Sequence, residues 1–447
     1  MGRGLRTVRK RLTVILAAVL AAVVTAYLLV PNGGGLLSWA RLQTGEPSGS
    51  GGRPSPSASP VPQRQWVVRF PLSANQAGPQ AAARPSPTPS PRPSATPVPT
   101  PTPPPVTPTP TPQLPPRLQG LPPSPYKRLA DYPRPKPDSG YGFHINAAAY
   151  PPDPVVFEQQ ILPNLKALGA TWVTVWLANA SPASLDYVKK LIDNGFEVVL
   201  RYHPVVPAPH PYYVPDPNEL AQFTRLGVHY IVTGNEPNLK NENVDDRVHS
   251  AAEIARQWVV SADRIKAAGG IPLLYPMSSG PSGMEMLRGM LEWMKANNAL
   301  DALGGAAVAI HNRPLNKPLD VIDDSSFRTY ELVDDLIREY LGHSLPILGT
   351  EAGYTFGDLI DPRFPRVSPE EHMNGNLGII YGFRDGRWRD SLFCQNFWIL
   401  SGFGTRTFFA DWWIENPLYF GQSLPIVEAL KNMPKFERKF QSPDFQR

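Results

Sequence analysis

Two glutamates in this sequence each stand at the end of an apolar, strand-forming run. Glu236 follows such a run in residues 230–238 (YIVTGNEPN), and Glu351, 115 residues further on, does so in residues 345–354 (LPILGTEAGY). A carboxylate at the end of a buried strand costs free energy unless something there uses it. Cleavage of a glycosidic bond uses two carboxyl groups, because one protonates the leaving oxygen while the other, ionised, attacks the anomeric carbon.

The segments around these glutamates belong to a longer alternation. Eight apolar β-type runs begin near residues 141, 171, 196, 228, 271, 306, 345 and 391, and helical stretches lie between them. Strands that alternate with helices pair in parallel, and eight such units in about 300 residues predict a (β/α)8 barrel. A doubly wound open sheet is the alternative, but residues 141–146 lack the glycine-rich phosphate turn typical of that fold.

In a (β/α)8 barrel the carboxyl ends of all strands meet at one face, where active sites lie. The side chains predicted to reach this mouth are His144, Trp176, Arg201, His203, Asn235, Glu236, Tyr275, His311, Glu351 and Trp398. Aromatic faces stack on sugar rings, and amides and histidines bond hydroxyl groups, so this set is typical of a polyol site. Strands four and seven permit either the carboxyl separation of retaining enzymes, roughly 5 Å, or the longer one of inverting enzymes.

The two motifs GNEPN (residues 234–238) and GTEAG (residues 349–353), at strand ends four and seven, resemble the clan A glycoside hydrolases. The resemblance suggests families 5 and 39 of this clan and covers about residues 140–434. It implies a retaining double displacement, with Glu236 as acid/base and Glu351 as nucleophile. It further implies that Asn235 holds the sugar 2-hydroxyl.

The same resemblance assigns other residues to the substrate site. It places His203 of strand three and His311 of strand six beside the substrate, and Trp398 beneath the sugar at the cleavage point. The expected substrate is therefore a polysaccharide or oligosaccharide, with no cofactor and no metal. A metal pair of His203 and His210 is disfavoured because no third ligand lies at a useful spacing.

The chain departs from this family at two positions. Many members carry an arginine on strand two near the nucleophile, where this chain has Trp176, and Arg201 on strand three is the candidate to replace it. Many also carry a tyrosine near the strand-six histidine, where this chain has Asn312 and Arg313. Tyr275 is the candidate to replace that tyrosine.

Other interpretations of the same residues remain open at this point. Glu236 could cap the next helix, Glu351 could be a salt-bridged barrel carboxylate, and each histidine could be structural. The barrel could then be a non-catalytic carbohydrate-binding protein of the cell surface. A transglycosylase that remodels wall glycan would use the same residues as a hydrolase and differ only in its acceptor.

The sequence before the barrel predicts a tether. Residues 1–11 are basic and precede an uncharged run, residues 12–30, whose length as a helix of about 28 Å suits a transmembrane anchor. A cleaved signal peptide, with a small-residue site at residues 24–26, is the alternative. Residues 31–137 are rich in Pro, Ser and Thr and predict a disordered linker, which leaves 138–447 as the catalytic domain outside the cytoplasm.

Charge and cysteine content exclude other classes. Residues 1–137 carry 16 Lys and Arg against 2 Asp and Glu, whereas the rest carries 27 against 36, so the predicted domain is acidic. An acidic domain without a recognition motif argues against nucleic-acid binding. The single cysteine, Cys394, excludes an intramolecular disulfide and is predicted to be a small buried residue. We expect a monomer.

Overall fold

The computed structural model describes residues 116–118, 127–203, 214–243, 245–401, 412 and 423–446. These ranges contain all eight predicted strands. The predicted anchor at residues 12–30 and most of the predicted linker lie outside them. Among the described residues, no helix is both long enough and apolar enough to cross a membrane.

Eight parallel strands close into a barrel in chain order. They are β1 (Tyr141–His144), β2 (Trp172–Leu177), β3 (Glu197–Tyr202), β4 (Tyr230–Val232), β5 (Ile271–Leu274), β6 (Ala307–Ile310), β7 (Ile347–Ala352) and β8 (Leu392–Phe397). Tyr141 of β1 pairs with Gln395 of β8 and so closes the ring. The predicted (β/α)8 fold is confirmed, and the open sheet is wrong because every strand has a partner on both sides.

A helix follows each strand. The first, α1, consists of three contiguous segments, Pro154–Val156, Phe157–Ile161 and Leu162–Ala167, of which the middle one is a π-helical turn. The others are α2 (Pro182–Asp193), α3 (Pro217–Leu226), α4 (Ala251–Ala267), α5 (Pro281–Ala296), α6 (Thr329–Leu341), α7 (Pro369–Asp385) and α8 (Pro425–Asn432).

Local sequence sets where several helices begin and end. Ser250 and Ser368 start α4 and α7 with capping boxes, in which each serine hydroxyl and a glutamate three residues later bond each other's backbone amides. Gly227, Gly342 and Gly386 end α3, α6 and α7 with positive φ, the conformation that glycine adopts without strain. The chain can therefore turn back into the next strand within a few residues.

Large apolar side chains fill the barrel interior. Hydrogen bonds close its lower end, which is the end opposite the strand carboxyl termini. Trp172 is fully buried and donates its indole N–H to Asp138 Oδ1 at 2.9 Å. Cys394 is buried, as predicted, and burial raises the pKa of its thiol. Because Trp172 and Cys394 are both buried, neither side chain is accessible to a substrate.

Residues that precede β1 also pack against this lower end. Tyr132, within the predicted linker, is buried and donates its hydroxyl to the carbonyl of Ala306 at 3.0 Å. Arg117 bonds Asp263 at 2.9 Å and Asp301 at 3.1 Å. The segment that enters the barrel is thus held at the end opposite the strand carboxyl termini.

Close approach of two strands makes Gly142 of β1 indispensable. A Cβ at this position would lie 1.6 Å from the carbonyl oxygen of Trp172, a backbone atom of β2 that cannot move aside. We expect Gly142→Ala to cost more than about 3 kcal/mol in the free energy of unfolding, measured by urea denaturation. Gly195→Ala is the matched control, because its φ is +85° but no atom lies within 4 Å of its added Cβ. It should cost only about 1 kcal/mol, and equal losses would contradict the steric explanation.

Candidate active site

Glu236 lies in the loop after β4 and is held there by backbone contacts. Its N–H donates to the carbonyl of Pro276 at 3.0 Å, and its φ of +35° is unusual for a residue with a side chain. Asn238 attaches the same loop to the segment after β5, because its amide donates to Ser278 Oγ at 3.0 Å. The strained backbone of Glu236 is therefore imposed by its surroundings, a feature that clusters at functional sites.

Glu351 lies within β7 and is almost fully buried. Arg201 Nη1 of β3 donates to its Oε1 at 2.7 Å, and Arg313 Nη2 donates to its Oε2 at 2.6 Å. Each carboxylate oxygen therefore has its own guanidinium partner. Arg201, the candidate to replace the strand-two arginine of the resembling family, thus contacts Glu351 from β3.

His311, just after β6, connects the two glutamates. Its Nδ1 lies 2.7 Å from Glu236 Oε1 and 3.8 Å from Glu351 Oε2. Glu236 Oε1 and Glu351 Oε2 are therefore at most 6.5 Å apart, because their separation cannot exceed the sum of their distances from this nitrogen. The structure therefore brings together two carboxyl groups that are 115 residues apart in the sequence.

The surroundings of Glu351 favour its ionised form. Burial alone would raise the pKa of Glu351, but the combined attraction of His311, Arg313 and Arg201 outweighs burial and holds this pKa well below its usual value. Glu236 is the more accessible of the two, with 19% of its side chain exposed against 10% for Glu351. The pair thus consists of one fixed anion and one carboxyl group that faces the opening.

Trp176 and Trp398, the two rings predicted to stack on sugar, each lie beneath an arginine. The guanidinium of Arg201 lies 4.9 Å from the ring centre of Trp176, and that of Arg313 lies 5.3 Å from the ring centre of Trp398. Both rings are buried, with 5% and 9% of their surfaces exposed. In this structure each tryptophan supports an arginine that contacts Glu351, a cation–π arrangement that also limits the arginine's freedom.

His203 and His144 lie below the opening. His203 is fully buried, and its Nε2 accepts a hydrogen bond from Arg201 Nε at 2.9 Å, which orients that guanidinium. His144 is also fully buried and lies edge-on to Trp398, with ring centres 4.7 Å apart. Burial lowers the pKa of His144 to about 3, and the charge of Arg201 adds to the effect, so its imidazole is neutral.

Tyr275, another predicted site residue, lies beneath the loop that carries Glu236. Its ring would meet a Cβ placed on Gly234 at 3.0 Å, and its hydroxyl lies 3.3 Å from Thr233 Oγ1. Burial raises the pKa of Tyr275 to about 12. The donor to Glu351 Oε2 is Arg313 rather than this tyrosine.

Asn235 has a partner that the sequence did not suggest. Its amide Nδ2 donates to Glu242 Oε2 at 3.0 Å, and Glu242 follows it by seven residues in the same loop. Burial raises the pKa of Glu242, and the negative charge of Glu236 raises it further. Glu242 is thus a third carboxyl group near the pair, and it holds the amide that precedes Glu236.

Sequence reasoning missed Glu242 and gave no role to Arg313. Neither residue lies on a strand, so the rule that strand ends form the mouth does not select them. The only signal for Arg313 was its place two residues after His311, where the family resemblance predicts a different side chain. Among the described residues, no three side chains of types that bind metals converge into a site.

Breaking the contact between Arg201 and Glu351 should destabilise the fold. Both residues are buried, and removing one partner of a buried ion pair leaves an uncompensated charge. We expect Arg201→Met to cost about 3 kcal/mol in unfolding free energy at pH 7. Arg201→Lys, which keeps the charge but loses the planar fork, should cost less.

The cost of Arg201→Met should depend on pH in a stated direction. Glu351 has a lowered pKa in the folded protein, so its ionisation contributes stability above the unfolded value of about 4.3, and this is lost as pH falls. Arg201→Met raises the pKa of Glu351. The difference in urea midpoint between wild type and variant should therefore shrink as pH falls below about 4, toward the folded-state pKa of Glu351. A difference that stays constant down to about pH 2.5 would contradict the assignment.

Comparison with known proteins finds similar chains only among solved structures. No family model matches the chain, and no curated protein matches it. The solved structure of a GH128 (subgroup II) endo-β-1,3-glucanase from Pseudomonas viridiflava is similar, with 15% identity and a TM-score of 0.43, over 66% of this chain and 98% of that one.

Two further solved structures are similar at the same level. A family 39 glycoside hydrolase from Bacteroides cellulosilyticus has 12% identity and a TM-score of 0.43, over 66% of this chain and 63% of that one. A fungal β-1,4-galactanase has 13% identity and a TM-score of 0.38, over 65% and 94%. These three proteins are glycoside hydrolases, the class that the sequence motifs resemble. The strand pairing of this chain itself establishes the barrel.

Proposed function

We propose that this chain is a retaining glycoside hydrolase that cleaves a β-linked glycan. The observation that carries the proposal is the pair of glutamate oxygens around His311 Nδ1, whose separation is at most 6.5 Å. Retaining enzymes hold their two carboxyl groups about 5–5.5 Å apart, whereas inverting enzymes leave about 6.5–9.5 Å for a water molecule. A separation of at most 6.5 Å between these two oxygens therefore favours the retaining mechanism. The β-linkage comes from the resemblance of the two strand-end motifs.

In the first half of the reaction, Glu351 attacks and Glu236 donates a proton. A carboxylate oxygen of Glu351 forms a bond to the anomeric carbon while the bond from that carbon to the leaving oxygen breaks. The electrons of the broken bond go to the leaving oxygen, which takes the proton of Glu236. The lowered pKa of Glu351 keeps the attacking group ionised at neutral pH.

In the second half, Glu236 acts as the base. It takes a proton from water as the water oxygen bonds to the anomeric carbon, and the bond from that carbon to Glu351 breaks. The electrons return to Glu351, which becomes a carboxylate again beside its two arginines. Two inversions at one carbon give net retention, and both glutamates return to their starting protonation states.

The contact between Arg201 and Glu351 also bears on the non-catalytic alternative. That alternative was kept open by the lack of an arginine on strand two, and Arg201 of β3 makes the expected contact from the next strand. The geometry therefore supports a working site. A transglycosylase would retain all of these residues, so products rather than structure distinguish it from a hydrolase.

The test is to incubate the purified full chain with β-glucans, mannans, xylans and galactans. We expect new reducing ends from at least one polymer, and NMR of the first product should show the β-anomer. Initial release of the α-anomer would contradict retention. Binding without reducing ends after long incubation would support the carbohydrate-binding alternative, and lengthened oligosaccharides would support a transglycosylase.

We also propose that the barrel lies outside the cytoplasmic membrane, tethered by the segment that precedes it. The support is the basic segment 1–11 before the apolar run 12–30 and the Pro-rich linker after it. Protease added to intact cells should release a soluble barrel fragment. Protection of the chain until the cells are lysed would contradict this location.

A further inference from the structure

The two oxygens of Glu351 are bonded by two arginines that differ in their surroundings. Arg201 has only 7% of its side chain exposed and lies deep in the barrel, on Oε1. Arg313 has 25% exposed and lies at the opening, on Oε2. The same Oε2 is the oxygen that lies 3.8 Å from His311 Nδ1, which in turn contacts Glu236. Oε2 is thus the oxygen on the side of the second glutamate, where a substrate bond would lie.

A guanidinium on the reacting oxygen has opposite effects on the two half-reactions. It stabilises the negative charge of the free carboxylate, so it makes Glu351 a weaker nucleophile when the ester to the sugar forms. When that ester breaks, the same charge returns to Oε2, and a preorganised cation stabilises it as it develops. Arg313 is preorganised because its guanidinium lies over the ring of Trp398.

Resting on the proposed function, we infer that Arg313 is a catalytic residue of the second half-reaction, in which it stabilises the departing Glu351 carboxylate. In this step the bond from the anomeric carbon to Oε2 breaks and its electron pair goes to Oε2. Arg313 Nη2 keeps its proton and donates a hydrogen bond to that oxygen. Water supplies the new bond to carbon, and its proton goes to Glu236, so no other reactant is required.

The role predicts which step limits the rate. In the wild type we expect release of the sugar from Glu351 to be faster than formation of the ester, so that the ester does not accumulate. In Arg313→Gln the carboxylate is a poorer leaving group, and the ester accumulates. We expect kcat of this variant to fall about 10²-fold, the usual cost of removing one donor from a developing oxyanion. KM should fall together with kcat, because the accumulated ester counts as bound substrate.

The experiment follows rapid release of 4-nitrophenol, a less activated leaving group, from 4-nitrophenyl β-glycosides of glucose, galactose, mannose and xylose and of their β-linked disaccharides. The wild type should release it without a burst. Arg313→Gln should show a burst of one equivalent per enzyme, and mass spectrometry should find a sugar ester on the peptide that carries Glu351. Arg313→Lys, which keeps a cation, should remove the burst and restore part of kcat.

Arg363→Gln is the matched control, because it removes the same charge from an exposed arginine whose contact is with Asp361. It should behave as the wild type does. If Arg313→Gln lowers kcat and kcat/KM equally, with no burst and no ester, the role of Arg313 is overturned while the proposed hydrolase stands. If the wild type cleaves none of the aryl glycosides or the four polymer classes, both proposals fall.

Discussion

Glu351→Ala should lose at least about 10⁴-fold in kcat, as expected when a nucleophile that acts as part of a unit is removed. The loss should extend even to substrates with activated leaving groups, because attack by Glu351 accompanies the departure of every leaving group. The measurement is the steady-state rate on a dinitrophenyl glycoside that the wild type cleaves. A variant within tenfold of the wild type would show that another group attacks the sugar.

Chemical rescue distinguishes a missing nucleophile from a misfolded protein. Glu351→Ala leaves a gap beside Arg201 and Arg313, and both cations would attract a small anion into it. Added azide should restore turnover and give a glycosyl azide of the α configuration, since only one inversion takes place. Rescue also shows that the variant is folded. Stimulation with a β-azide product would instead assign Glu351 to the role of acid/base.

Glu351→Ala should also show how the stability of the protein depends on the balance of charges in the site. Wild-type Glu351 is the shared partner of Arg201, Arg313 and His311. Its removal leaves two guanidinium groups close together without their anion, which costs free energy when they are buried. Its unfolding midpoint should therefore be lower without azide than with it, because a ligand that binds only the folded state stabilises that state.

The fold could be predicted because its signals are local and repeated. Buried parallel strands are continuous apolar runs, and glycines such as Gly227 and Gly342 mark the helix ends between them. Eight repeats of this pattern leave few architectures. That Glu236 and Glu351 lie at the same end of the barrel could be predicted for a related reason. The end of a strand fixes where a side chain emerges, even when its neighbours in space are unknown.

The contacts around the glutamates could not be predicted in the same way. Arg313 comes from a loop, and nothing in a loop arginine indicates which carboxylate it meets. Trp176 and Trp398 were expected to face a sugar, but an aromatic ring stacks on a guanidinium as readily, and the sequence does not say which partner lies over it. The strand-end rule placed Arg201 at the mouth, and only the family resemblance suggested that it lies near the nucleophile.

Glu236→Ala should impair the enzyme in a way that depends on the leaving group. Removing a general acid costs about 10²–10⁴-fold where the leaving oxygen must be protonated, as in a natural glycan. Dinitrophenol leaves without a proton, so its release in the first half-reaction should be little affected, and the sugar ester of Glu351 should accumulate. Azide should then attack this ester and give a β-glycosyl azide, the opposite anomer to that from Glu351→Ala.

The backbone of Glu236 adds an independent measurement to this prediction. Its φ of +35° lies in the left-handed region, which costs a residue with a Cβ about 1–2 kcal/mol. Glu236→Gly and Glu236→Ala both leave His311 without its carboxylate, but only glycine relieves the strain. Urea unfolding should therefore show Glu236→Gly to be more stable than Glu236→Ala by about 1 kcal/mol, although both lack the acid. If alanine were the more stable, the strained conformation would not be that of the protein in solution, and the placement of Glu236 toward Glu351 would lose its support.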